Sequence, residues 1–204
     1  MTLNLSLRKI GVLDLKGLDR PYSDPEMNNL IKLCDKLTIV PGTGEDNRAL
    51  CARIVIDPVD LALEDRGGDD RKILDLEVAA SIVDVLMNDR AKEFWKSMFD
   101  VNHIVLRRAQ VHILRDGDYI GYHTDDQANP DYIANVVIGL SSEYGGGEYV
   151  TYMSGNKVPH KTQLGTILVS LNGVPHEVAA VTSGERKTLA FFFAENEHAD
   201  ATMA

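Results

Sequence analysis

The 204-residue chain is ordinary in composition, 44% hydrophobic and 25% charged, which suits one domain with a sizeable core. A net charge of −10 speaks against nucleic acid, because a phosphate backbone is gripped by clustered Lys and Arg. No apolar run is long enough to span a bilayer, and the N-terminus lacks the basic-then-apolar pattern of a signal peptide. With two cysteines only, Cys34 and Cys51, a reduced, cytoplasmic protein is the expectation, although one disulfide stays open.

In chain order, the alternating segment Leu3 to Val12 reads as an edge strand. A helix follows, with Asp24 as its cap and Pro25 in its first turn. Met27, Leu30, Ile31, Cys34 and Leu37 make its apolar stripe. Pro41-Gly42-Thr43-Gly44 breaks the chain. The β-branched run Leu50 to Asp57 is a strand ended by Pro58, and residues 64–71 form a charged, glycine-containing surface loop. A second helix spans Leu74 to Asn88, with Val78, Ile82, Val85 and Leu86 on one face. A third, short helix carries Phe94, Trp95, Met98 and Phe99, more in keeping with packing onto a sheet than with a binding platform.

From Ile104 the pattern changes to short strands divided by Gly and Asn turns. They are expected near 104–115, 118–123, 133–140, 147–153, 164–171, 176–182 and 187–194, which argues a sandwich or barrel. Residues 104–195 are read as the core and 1–103 as a supporting region packed on its outer face. With a frayed tail at 196–204, the whole makes one structural domain.

Chemistry concentrates in Val105 to Ala194. His123, Asp125 and His176 have the residue types of a 2-His-1-carboxylate facial triad, which leaves positions open on a non-haem iron(II). His123 and Asp125 lie one residue apart, so an extended chain projects both the same way. Singly, each reads as an ordinary hydrogen-bonded histidine or turn aspartate; the combination with Arg186 carries the weight. Arg186 and Thr188 share a strand face, where a guanidinium grips a carboxylate through paired hydrogen bonds and a hydroxyl adds a third. His103 and the tail residue His198 are expected in solvent, and His160 in a polar loop after Val158-Pro159. Gly145-Gly146-Gly147 lacks the Lys-Ser/Thr and helix of a phosphate loop and reads as a strand bend.

Three pieces carry a resemblance: His123-Thr124-Asp125, Gly145-Gly146-Gly147-Glu148, and the run from His176 to Arg186 with its turn glycine Gly184. Over about its C-terminal half the chain resembles the iron(II)- and 2-oxoglutarate-dependent oxygenases, in particular their prolyl-4-hydroxylase-like branch. The resemblance implies a mainly β fold, a double-stranded β-helix (jelly roll, cupin-like) with helical support. It implies iron(II) on His123, Asp125 and His176, 2-oxoglutarate as co-substrate with its distal carboxylate on Arg186, and O2; ascorbate is expected to support activity. Succinate and CO2 leave as an unactivated C–H bond is hydroxylated. Halogenases of this kind lack the carboxylate, so Asp125 implies oxygen insertion.

At one point the sequence departs from the pattern. Prolyl-hydroxylase-like members carry a co-substrate tyrosine nine residues before the first iron histidine, where this chain has Leu114. On that strand face His112 and Gln110 point inward if Leu114 does, and one of them, or Tyr119 or Tyr122, is expected to take over the contact. Substrate contacts are expected from Tyr119, Tyr122, Asp126, Asn135 and Glu143, with Asp126 either selecting a cationic group or sitting in a solvated loop. A small molecule, an amino acid or its derivative, is the expected partner, no nucleic acid or membrane is, and a homodimer is compatible with the sequence. The alternatives are a peptidyl-prolyl hydroxylase and a cupin-like metal-binding module without oxygenase activity.

Overall fold

A computed structural model of the protein describes residues 3–15, 20–42, 49–57, 72–153 and 155–196. The charged stretch 64–71, Pro58 and the tail with His198 lie outside them. Two antiparallel sheets face each other in a jelly roll, as expected. The larger has the order β1-β10-β6-β13-β4-β3-β2, the smaller β5-β11-β8-β9, and a two-stranded ribbon pairs β12 with β7.

The N-terminal segment departs from expectation. Leu3–Ile10 is a helix, α1, and the edge strand is β1, Val12–Leu15. Leu3, Leu5 and Leu7 alternate, but Leu3 and Leu7 also satisfy helical spacing. Only the helix buries Leu7 while leaving Leu5 in solvent, and Arg8 and Lys9 suit its C-terminal dipole. Gly11, at φ +78°, turns the chain from helix to strand.

Helix α2 spans Asp24–Cys34. Its cap is Ser23 rather than Asp24. The Ser23 hydroxyl accepts from the Glu26 N–H while the Glu26 carboxylate accepts from the Ser23 N–H, a reciprocal capping box. Helices α3 (Leu76–Leu86) and α4 (Asp89–Phe99) complete the outer layer, α4 capped by Asn88. The Asn88 amide also donates to Glu26, tying the start of α4 to the start of α2. Trp95 is fully buried and touches Phe191 and Phe193 at ring separations of 6.2 and 5.4 Å, so the α4 aromatics are packing.

The first hundred residues do more than buttress. They supply β1, β2 (Val40–Pro41) and β3 (Leu50–Val55), which extend the larger sheet at both edges. Its centre is β6 (Tyr132–Gly139), β13 (Arg186–Ala194) and β4 (Val105–Leu114). The flanking strand β10 is Ile167–Leu171. In the smaller sheet lie β5 (Ile120–His123), β8 (Tyr149–Met153), β9 (Asn156–His160) and β11 (His176–Val178). The expected strand 147–153 is β8, preceded by a short unforeseen strand β7 (Tyr144–Gly146), and the expected strand 176–182 is divided into β11 and β12 (Val181–Gly184). The segment with His160 is a strand, not a loop. Its Pro159 is tolerated because β9 is an edge strand.

The central strands divide their residues by parity. Leu189, Phe191 and Phe193 of β13, with Ala109, Val111 and Ile113 of β4, pack against the helices. Arg186, Thr188, Ala190 and Phe192, with Arg108, Gln110 and His112, face the smaller sheet and line a cavity.

Candidate active site

The cavity between the sheets has a volume of ≈ 210 Å³. The triad meets on its wall. Strand β11 pairs with β5 so that His176 lies directly across from His123, their rings 4.3 Å apart. The two histidines are therefore cross-strand neighbours within one sheet. After His123 the chain leaves the strand, and a 3-10 turn, Asp125–Gln127, lifts Asp125 over the pair. The Asp125 carboxylate lies 3.6 Å from His123 Nε2 and 3.7 Å from His176 Nε2.

Each imidazole is oriented from behind. His123 Nδ1 donates to the Gly121 carbonyl at 2.7 Å, and His176 Nδ1 to the Val174 carbonyl at 2.9 Å. A carbonyl only accepts, so the proton sits on Nδ1 and the neutral ring aims the Nε2 lone pair at Asp125. This is the arrangement a metal-binding histidine needs. Asn135 donates to the other side of Asp125 at 3.1 Å. All three ligand atoms lie within 4.8 Å of one another, and the Nε2–carboxylate gaps are shorter than two metal–ligand bonds of about 2.1 Å laid end to end. One divalent ion fits this donor set.

The charges are consistent with it. Burial holds the His176 pKa down, favouring the neutral ring. Burial also opposes protonation of His123, but the neighbouring Asp125 and the Gly121 carbonyl outweigh it and raise the value. Burial would raise the Asp125 carboxyl; the two imidazoles and Asn135 reverse that, so it is ionised.

Away from the triad stands Arg186, 1% exposed. Its Nη1 donates to Thr188 Oγ1 at 3.2 Å, while its Nε has no hydrogen-bond partner among the described residues. Desolvation lowers its pKa to about 10, and it remains a cation at neutral pH. It forms no ion pair among the described residues. A buried guanidinium without a carboxylate costs several kcal/mol unless an anion arrives. Gly147 makes room for it: a Cβ there would lie 2.8 Å from Arg186 Cδ, and φ is +65°. The glycine run is thus a bend, and its third member opens the Arg186 site.

His112 and Gln110 line the cavity, as expected. Burial, and then the surrounding Arg53, Arg108 and Arg186, push His112 down to about 3, so its imidazole is neutral. Leu114, wholly buried, shares that inward face but packs among apolar residues. Asn135 lines the cavity; Tyr119, Tyr122, Asp126 and Glu143 do not. Tyr122 is 60% exposed against Tyr152 on the outside of the smaller sheet, and Asp126 and Glu143 face solvent. His160 is half-buried and shares a hydrogen bond with Thr151, outside the triad.

Tyr149 escaped the sequence reading. Its ring stacks on His176 at 4.7 Å, it lines the cavity, and among the described residues its buried hydroxyl meets no partner at hydrogen-bonding geometry. It opens β8 immediately after the glycine bend, where parity alone does not say which sheet it faces. Arg108 was also missed, although it shares parity with Gln110 and His112 on one strand.

Residues 109–194 match the family model described as the 2OG-Fe(II) oxygenase superfamily. An oxidoreductase of the 2OG-Fe(II) oxygenase family from Burkholderia pseudomallei is similar over 98% of this chain and 92% of its own, with 26% identity and a TM-score of 0.83. A Pseudomonas putida prolyl-4-hydroxylase shares the fold at 16% identity and TM-score 0.67, over 95% of this chain and 97% of its own. A Trichoplax adhaerens prolyl hydroxylase, in complex with a hypoxia-inducible-factor peptide, does so at 15% and 0.60, over 95% and 87%. No curated protein sequence matches the chain. The match over residues 109–194 and the likeness of the whole fold both point to the 2OG-Fe(II) oxygenases, enzymes that depend on Fe(II) and 2-oxoglutarate.

Proposed function

We propose that the protein hydroxylates an unactivated C–H bond of a small molecule, an amino acid or amino-acid-derived metabolite, holding iron(II) on His123, Asp125 and His176. The observation that carries this reading is a buried Arg186 that forms no ion pair among the described residues, at one end of a cavity whose wall bears the three convergent ligands. The iron with 2-oxoglutarate and O2 supplies the oxidising power, releasing succinate and CO2.

The protein's own residues supply geometry. The Gly121 and Val174 carbonyls fix the imidazoles in their binding tautomer, and Asn135 sets the angle of the Asp125 carboxylate. Arg186 and Thr188 receive the distal carboxylate of 2-oxoglutarate. Tyr149, with an unmatched hydroxyl beside the His176 ring, takes the contact that Leu114 cannot make. Gln110 and His112 shape the inner wall, His112 as a neutral donor or acceptor. Around them Val137, Val178 and Ala190 keep the chamber dry, which strengthens each polar contact.

The cavity is small beside drug-sized sites of about 300–1,000 Å³, which favours a metabolite over a folded protein substrate. The likeness to prolyl hydroxylases keeps a peptidyl prolyl residue as the second reading. Succinate release from 2-oxoglutarate, with iron and ascorbate and across a panel of metabolites and proline peptides, tests both. Asp125→Ala should abolish turnover, and His160→Ala should retain most of it. The reverse order would dismiss the ligand assignment.

A further inference from the structure

The amide that steadies Asp125 has a second face. Asn135 is 4% exposed, and its Nδ2 donates to the Asp125 carboxylate at 3.1 Å. An ionised carboxylate only accepts, so the amide cannot turn over, and its Oδ1 is committed to another direction. That oxygen is buried and meets no hydrogen-bond partner among the described residues, while the side chain lines the cavity. Its register neighbours do not supply a donor. Phe192 is apolar, and the Ser170 hydroxyl turns to the Leu171 carbonyl.

A buried acceptor without a donor carries an uncompensated desolvation cost, which a ligand bringing an N–H or O–H relieves. The other occupants of the chamber cannot do so. At neutral pH 2-oxoglutarate presents two carboxylates and a ketone, acceptors all, and O2 has no proton to donate. Arg186, assigned to the distal carboxylate, also lies six residues along β13 from the register partner of Asn135, about 20 Å at ~3.4 Å per residue. Beside Asn135 the cavity wall is apolar, with Val137 on its own strand and Phe192 on the next. In such surroundings a single hydrogen bond discriminates strongly between molecules that can and cannot make it.

We propose that Asn135 is a specificity-determining residue whose Oδ1 accepts a hydrogen bond from the primary substrate, so that the enzyme selects small molecules bearing a hydroxyl or N–H group over those without one. This rests on the oxygenase reading above. The test uses protein saturated with Mn(II) and 2-oxoglutarate, the binding of each being measured first by calorimetry. Paramagnetic broadening of 19F signals is then recorded for three pairs that differ in the donor. These are trifluoroethanol and its methyl ether, trifluoroethylamine and its N,N-dimethyl form, and N-methyltrifluoroacetamide and its N,N-dimethyl form.

In at least one pair the donor should bind about tenfold more tightly than its methylated counterpart, as one buried hydrogen bond provides. Asn135→Leu should level that pair, whereas a preference due to size alone would persist. Saturation transfer, which needs no metal, gives the same comparison where the variant loses Mn(II). Equal binding within every pair, a preference that survives in Asn135→Leu, or no broadening of any donor with 2-oxoglutarate bound overturns the proposal. Failure of the unaltered protein to bind 2-oxoglutarate would instead sink the oxygenase reading, and this assignment with it.

Discussion

At the scale of single residues, a hydroxyl left without a partner gives opposite signs in two measurements. Among the described residues the buried Tyr149 hydroxyl meets no partner at full hydrogen-bonding geometry, although Ser170 lies close by, and burial raises its pKa well above 10, so it is a neutral phenol. Removing an unmatched buried hydroxyl is neutral or stabilising, and removing one that meets a ligand weakens binding. Tyr149→Phe should therefore hold or raise the melting temperature of the ligand-free protein, by up to about 3 °C. The same variant should loosen 2-oxoglutarate severalfold by calorimetry. A fall in melting temperature together with unchanged binding would mark the tyrosine as ordinary packing.

At the scale of elements, two buried or shared carboxylates fix how helices and turns meet. Glu26 serves the Ser23 cap of α2, the Asn88 amide and Arg90, and hydrogen bonds from Ser23 hold its pKa below the ordinary 4.5. A lowered value in the folded state means the contribution is complete above about pH 4.5. It is lost as the pH falls through the lowered value. The difference in urea midpoint between the protein and Glu26→Gln should shrink on acidification, and Ser23→Ala should cost about 1 kcal/mol at neutral pH.

Asp57, fully buried, receives Arg107 at 2.9 Å and the Asn129 amide at 3.0 Å, while the Asn129 N–H donates to the Asp125 carbonyl. It links β3 to the turn that carries Asp125. Asp57→Asn leaves Arg107 buried without its charge partner, and a loss of about 3–5 kcal/mol in urea unfolding is expected.

For the molecule as a whole, most of the core was legible because strand parity and turn residues are local signals. The triad and Arg186 were readable by residue type and spacing, and the glycine bend by composition. What failed did so for identifiable reasons. Leu3, Leu5 and Leu7 fit both periods, and only the sheet edge waiting at β10 decides for helix then strand. Ser23 and Asp24 are both good caps, and the reciprocal bond with Glu26 selects the first. β9 is polar because it is an edge. Tyr149 depends on which sheet covers which face, a fact no window of sequence holds, whereas Arg108 shares a readable parity with Gln110 and His112. β1, β2 and β3 pair into the same sheet as the core strands, so removing the first hundred residues would leave both edges of that sheet unpaired.

The division of β13 by parity has a further consequence, for the history of the gene. One codon gained or lost between 186 and 191 would flip the two ends of the strand against each other, so that either Phe191 and Phe193 turn into the chamber or Arg186 is thrust among the helices. Length change there is forbidden by architecture and chemistry at once, whereas neither objection applies at Gly155 or Gly165, where a side chain would meet open space.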